Sequence, residues 1–290
     1  MRGAEAAAPV SMLQLAGGAI RGVLRGETGG GDLPKAELAA LPLRLDADAI
    51  GIYGRLCGFV TAQGVPLTWP HILAFPMHLR LMMRSDFPFP LAGLVHLHNR
   101  IRQYARLRPG EALSPHVRFG RLMSHERGQA FSILTTMGRD GVVVWEAESL
   151  YLKRGGAGCG AAAPEMEAAA KMTQHQSWSL PGDLGRRYAR VSGDANPIHT
   201  SALGARLFGF PRAIAHGMWT QARALAALTP PDGLEAAEIE VSFRTPLLLP
   251  GAAALFTAPN HRDFEVRDPT GERLHMRGRL SALAPLEIIV

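Results

Sequence analysis

Two stretches of the chain, HILAFPMHLRLMM from His71 and HGMWTQARALAAL from His216, carry apolar residues nearly all the way round a helical wheel. Helices of that kind are buried, and their small Ala and Gly residues let a sheet wrap them closely. Each is followed by segments rich in β-branched and aromatic residues: VHLHNRI, AFSILTTM and VVVWEAESLYL after the first, AEIEVSFR, ALFTA and LHMRGRLSAL after the second. With turn chemistry at GRDG and DPTG, the pattern predicts antiparallel strands covering each helix.

The order of anchors is written twice. Asp48, Tyr53 and Gly58 follow one another at intervals of five residues, as do Asp183, Tyr188 and Gly193. Each set predicts a short helix with the aspartate as N-cap. Pro66 lies five residues before His71 and Pro211 five before His216, while Pro109-Gly110 and Pro250-Gly251 open matching strand sets. A repeat of this length implies two copies of one supersecondary unit. The expected class is α+β: two antiparallel sheets side by side, each wrapping a buried central helix, the arrangement called a double hotdog.

On this pattern, residues 41–154 form the first repeat, 155–170 a Gly/Ala-rich linker and 171–290 the second repeat. Residues 1–40 are a peripheral segment, whose stretch SMLQLAGGAIRGVL is interrupted by two glycines and Arg21 and is expected to be a surface helix rather than a signal core. The linker glycines do not meet the G-x-G-x-x-G spacing of a dinucleotide site.

Composition narrows the function classes. Of 290 residues, 47% are hydrophobic and 19% charged, and no apolar run reaches membrane-spanning length, so no membrane span is expected. Cys57 and Cys159 are the two cysteines, too few for a disulfide framework or a thiolate metal site, and a cytoplasmic setting fits. The formal net charge of +6 favours an anionic partner. Nucleic acid is not expected, because the basic residues are scattered singly with no interleaved aromatic ladder.

The copies differ in one place. Gly193 to Pro211 spans 18 residues but Gly58 to Pro66 only 8, and the extra piece, DANPIHTSALGARLFGF, is polar where the first copy reads FVTAQGV. The run YARVSGDANPIHTSALGARLFGFPRAIAHGM resembles the signature of MaoC-like (R)-specific enoyl-CoA hydratases and 3-hydroxyacyl-thioester dehydratases, with core S-G-D-x-N-P-x-H. The two-copy arrangement resembles double hotdog members of that family over roughly residues 40 to 285.

Hydration of an α,β-unsaturated thioester needs a base to activate water for attack at C3, an acid to protonate C2 and donors for the enolate oxygen. Asp194 and His199, on a segment where Pro197 is expected to prevent a regular helix, can converge on one water. The resemblance implies that this pair is catalytic. Asn196 is expected to brace the loop beside substrate, and the amide of Gly217, at a helix start, to receive the enolate oxygen. His216 is expected to border the site as a core or capping group, since His71 takes the same place in the copy without the pair. The first copy is expected to complete an acyl tunnel, with Phe59 and Ile72 on its wall, or else merely to cover a sheet edge.

His96, His98, His116, His125, His261 and His275 have no paired acids at ligand spacing, so no metal is expected. No bound cofactor is expected either. Without a G-x-S-x-G elbow, Ser192 reads as a loop donor rather than a nucleophile. The expected partner is an acyl-CoA or acyl-carrier-protein thioester, whose phosphates Arg206, Arg212 and Arg244 could meet unless they form a solvated face. Two other functions share the fold: an acyl-thioesterase and a noncatalytic acyl-thioester binding protein. A monomer and a symmetric homodimer both remain open, because the fused copies already pair their helices.

Overall fold

The computed structural model describes residues 31–91, 93–169 and 171–285. The stretch SMLQLAGGAIRGVL lies outside them. Among the described residues no helix is long and apolar enough to cross a membrane.

In the first repeat, β1 (Glu37–Ala39) and β2 (Leu43–Arg44) lead into α1 (Ala47–Cys57), followed by the central helix α2 (Trp69–Met82) and strands β3 (Val95–Gln103), β4 (Ala112–His125), β5 (Gly128–Arg139) and β6 (Val142–Arg154). The N-cap of α1 is Asp46, whose carboxylate accepts from the Ala49 amide at 2.8 Å; Asp48, the expected cap, sits inside the first turn. An acid there still faces the positive end of the helix dipole, which explains why the repeat keeps aspartate at that position. Both short helices stop at a glycine in the left-handed region, Gly58 at φ 91° and Gly193 at φ 74°, where a side chain would be strained.

After β7 (Ala161–Ala162) and β8 (Thr173–Leu180), the second repeat continues with α3 (Leu184–Ser192), α4 (Pro197–Thr200), α5 (Ala202–Leu207), the central helix α6 (Gly217–Leu228) and strands β9 (Ala237–Phe243), β10 (Gly251–Thr257), β11 (Asp263–Arg267) and β12 (Leu274–Ala282). Strand β8, polar at most of its positions, carries no alternation that marks it in the sequence.

The two expected sheets are one. Strand order is β1-β4-β5-β6-β3-β9-β12-β11-β10-β8, with β2 and β7 also on β4, and the halves join where β3 pairs β9 from His98↔Ser242 to Gln103↔Ala237. Across the joint Arg102 of β3 bonds Glu238 of β9, while on the other flank of β3, within the first repeat, Arg102 lies 3.5 Å from Glu146 and Arg100 3.5 Å from Glu148 of β6. These pairs are half-exposed and each adds about 1 kcal/mol or less, so they set register more than they hold the halves together. Apolar burial does the latter. Tyr53 and Tyr188, both fully buried, meet ring to ring at 6.1 Å, and Trp219 of α6 donates to the Leu56 carbonyl of α1.

The linker is not free chain. Gln129 clamps Cys159 with bonds to both its backbone groups, β7 runs parallel to β4, and Arg277 donates to the Met166 carbonyl. Likewise the peripheral segment ends inside the sheet, since Glu37–Ala39 pairs with β4.

Candidate active site

A cavity of about 610 Å³ lies between the repeats, and Asp194, His199, His216 and Gly217 from the second copy share its wall with His71, Ile72 and Tyr151 from the first. The polar insertion folds locally. Asn196 caps α4 by accepting from the Ile198 amide at 3.3 Å, and Pro197 sits in its first turn. Pro197 therefore starts a short helix rather than preventing one, because its missing N–H is unneeded at a helix start. Ser192 accepts from the Asp194 amide at 3.2 Å instead of donating, and the Asp194 carboxylate accepts from the Asn196 amide at 3.3 Å.

His199 donates Nδ1–H to the Ile214 carbonyl at 2.9 Å, which fixes its tautomer and leaves the Nε2 lone pair available as a base. Burial lowers its pKa below the usual imidazole value; the Asp194 charge and the Ile214 bond oppose the shift. His216 is the N-cap residue of α6, yet its side chain gives no cap bond. It donates Nε2–H to the Asp194 carbonyl at 2.9 Å and stacks on His199 at 3.7 Å between ring centroids. Its contacts support a positioning role, holding the backbone of one candidate residue and the ring of the other. His216 thus leaves α6 without a side-chain cap, and Gly217, the first residue of the helix, lies on the cavity wall, at the end of the helix whose dipole favours negative charge.

One donor atom from each of Asp194, His199 and His216 lies within 4.8 Å of the others. A divalent cation could bridge such a set. The same spacing suits a water held between a carboxylate and an imidazole, and the tautomers set by Ile214 and Asp194 favour that arrangement.

Gly185 is a site residue that the sequence reading missed. A Cβ on it would stand 1.9 Å from the His199 carbonyl oxygen, so α3 can pass the α4 turn only with glycine there. Gly185→Ala is expected to lower kcat about a hundredfold by displacing His199, the scale of a 1 Å misplacement, with a smaller rise in KM. Kinetics near those of the parent would show that the turn is not fixed by this contact.

Phe59 is corrected. It is absent from the cavity wall and buried in the core, with its Cβ close to where a side chain on Gly54 would stand; the left-handed Gly58 turns the chain inward just before it. Ile72 does line the cavity, in a stripe with Phe75, Leu79 and Met82 at helical spacing along α2. Arg244 lines it too, whereas Arg206 and Arg212 do not, and Arg212 donates to the Pro250 carbonyl. Arg127, Lys153 and Arg154 join the basic wall. They are brought together by the pairing of Gly128 with Arg154 and Gln129 with Lys153, which no spacing in the sequence announces.

Comparison with known proteins follows the same line. Residues 162–255 match the MaoC like domain. The chain is 34% identical over 259 residues to 3-hydroxyacyl-thioester dehydratase X of Mycobacterium tuberculosis (strain ATCC 25618 / H37Rv), covering 86% of this chain and 88% of that one. The crystal structure of HtdX from M. tuberculosis superposes with a TM-score of 0.74 at 30% identity, over 86% of this chain and 100% of that one. A further M. tuberculosis protein described as having a double hotdog fold matches at TM-score 0.56 and 14% identity, over 88% of this chain and 99% of that one, a likeness of fold alone. The fold is a double hotdog.

Proposed function

The chain belongs to the MaoC-like dehydratase family, and from that premise we propose that it adds water to trans-2-enoyl thioesters, and removes it from (R)-3-hydroxyacyl thioesters, with Asp194 and His199 as the acid–base pair. The observation that carries the reading is that the Asp194 carboxylate and a ring nitrogen of His199 lie within 4.8 Å of each other in one cavity beside the start of α6, with Nδ1 of His199 tied to the Ile214 carbonyl.

In hydration, Asp194 and His199 hold a water between them. The water oxygen bonds C3 as it gives up a proton to the pair, and that proton passes to C2 on the same face. Electron density displaced from the C2–C3 double bond resides meanwhile on the thioester oxygen, against the Gly217 amide. Dehydration reverses each step through the same transition state. The basic wall of Arg127, Lys153, Arg154 and Arg244 supports an anionic carrier for the acyl group, such as the phosphates of CoA or of a carrier-protein arm.

Crotonyl-CoA and longer enoyl-CoA esters provide the test. Loss of the conjugated absorbance without release of thiol is expected. Thiol release would mark a thioesterase instead, and saturable binding with neither signal a noncatalytic binding protein.

The stripe along α2 reads as the acyl wall, about 15 Å from Ile72 to Met82 at the helical rise. Leu79→Trp is expected to cut kcat/KM for long-chain enoyl-CoA about tenfold or more while crotonyl-CoA changes less than twofold. Equal losses at every chain length would show that the stripe is core and not tunnel.

A further inference from the structure

Between the Asp194–His199 pair and the apolar stripe of α2, the cavity wall is polar where an alkyl chain would want none. His71, His96 and Tyr151, all buried or nearly so, line it there. His71 and His96 stack at 6.2 Å between centroids, and His96 stacks on Tyr151 at 4.8 Å. Their placement is built rather than incidental. By strand alternation His96 would share a face with His98, which bonds Glu240 on the side of the ion pairs. The register of β3 slips between the two, and such a bulge re-aims a side chain, turning His96 to the cavity. Tyr151 is braced from behind by His78, whose other ring nitrogen bonds Thr135 at 2.7 Å.

Nδ1 of His71 and Nε2 of His96 have no protein hydrogen-bond partner although both atoms are buried. A buried nitrogen left this way costs free energy that a ligand's polar group would recover. An apolar pocket with a few convergent polar groups uses them to orient what it binds.

We propose that His71, His96 and Tyr151 bind a second neutral oxygen function, a hydroxyl or keto group, carried on the acyl chain beyond the reacting carbons. The inference rests on the dehydratase reading of the same cavity. The chemistry of the neck selects a neutral group. Burial holds the His71 pKa at about 4 and that of His96 well below the usual value, so both rings are uncharged at neutral pH and each offers one donor and one acceptor. The charge of Asp194 reaches His71 and Tyr151, which disfavours a carboxylate there.

The experiment compares trans-2-decenoyl-CoA with analogues carrying one hydroxyl at successive carbons beyond the double bond. One position is expected to raise kcat/KM about tenfold or more over the plain chain, since a site built around a substrate hydroxyl discriminates against its absence. In His96→Phe that ratio is expected to fall to about one, and Tyr151→Phe, which removes only the hydroxyl, is expected to lower it while the plain chain is still hydrated, with a modest fall in melting temperature from the lost bond to His78. Hydration of the plain chain with no analogue preferred would overturn this inference and leave the dehydratase reading standing. Hydration of none would overturn that reading, and competition binding of the same esters, followed by tryptophan fluorescence, would still decide whether the hydroxyl is recognised. A preference unchanged in both variants would place the recognition elsewhere.

Discussion

Asp194→Asn and His199→Ala each lower turnover of enoyl-CoA at least a hundredfold, the usual scale for an acid or base in flight with the reacting proton. The asparagine keeps an oxygen to accept from the Asn196 amide, so the loop survives and only the charge is lost. The alanine removes the bond to the Ile214 carbonyl and the stack on His216; His199→Gln, closer in size, separates loss of the base from loss of packing. KM is expected to change little, because the pair acts on the transition state more than on the bound ester. The acid limb of kcat/KM should lie below 6.5, since burial lowers the His199 pKa and the neutral ring is the competent form. Either variant at near-parent rate would remove that residue from the chemistry.

His216→Ala marks the contrast between a catalytic and a positioning residue. It would free the Asp194 carbonyl and unstack His199, so kcat falls through misplacement. His216→Asn, which can still donate to that carbonyl, should recover part of the loss with the acid limb unmoved.

The repeat was legible because buried helices and half-buried strands impose different periods on the sequence, and because glycine alone suits the left-handed ends of α1 and α3. Asp194 and His199 stood out in the sequence because the insertion that holds them is absent from the other copy, and Gly217 because it follows the histidine that opens the second buried helix. What stayed hidden depends on contacts between distant segments. Gly185 looked like any helical glycine until α4 was packed against it, and Ile214 offers only a backbone carbonyl, which no residue type advertises. His96 read as a strand residue of no consequence, since its inward aim comes from a bulge visible only in the pairing of β3 with β6. Phe59 failed for the opposite reason: chain proximity to the short loop suggested the tunnel, but the turn at Gly58 directs it into the core.

Acid should destabilise this protein well above the range in which carboxylates titrate. His71, His78, His96 and His216 are all buried with pKa values lowered chiefly by that burial, His71 to about 4 and the others well below the usual value. Above pH 6.5 these rings are neutral whether the chain is folded or not, and they add no pH dependence. As the pH falls through 6.5 the unfolded chain takes up protons that the folded one refuses, so stability drops. For His71 the loss is complete near pH 4 and amounts to roughly 3 kcal/mol at about 1.4 kcal/mol per pH unit. The other three add losses of the same sign as the pH falls below 6.5. Glu240 and Asp263, held by His98 and Arg279, lose their contribution only below their ordinary 4.5 and 3.8, so the decline from 6.5 to about 4.5 belongs to imidazoles. Against a total of roughly 5–15 kcal/mol, the His71 contribution alone is a sizeable share, and the other three rings act in the same direction. Urea midpoints measured from pH 7 to pH 4.5 are expected to fall steadily, and less steeply in His71→Phe, which removes one titrating ring. A midpoint flat over that range would mean that these rings charge as readily folded as unfolded, and the neutral, hydrogen-bond-ready neck of the cavity would go with it.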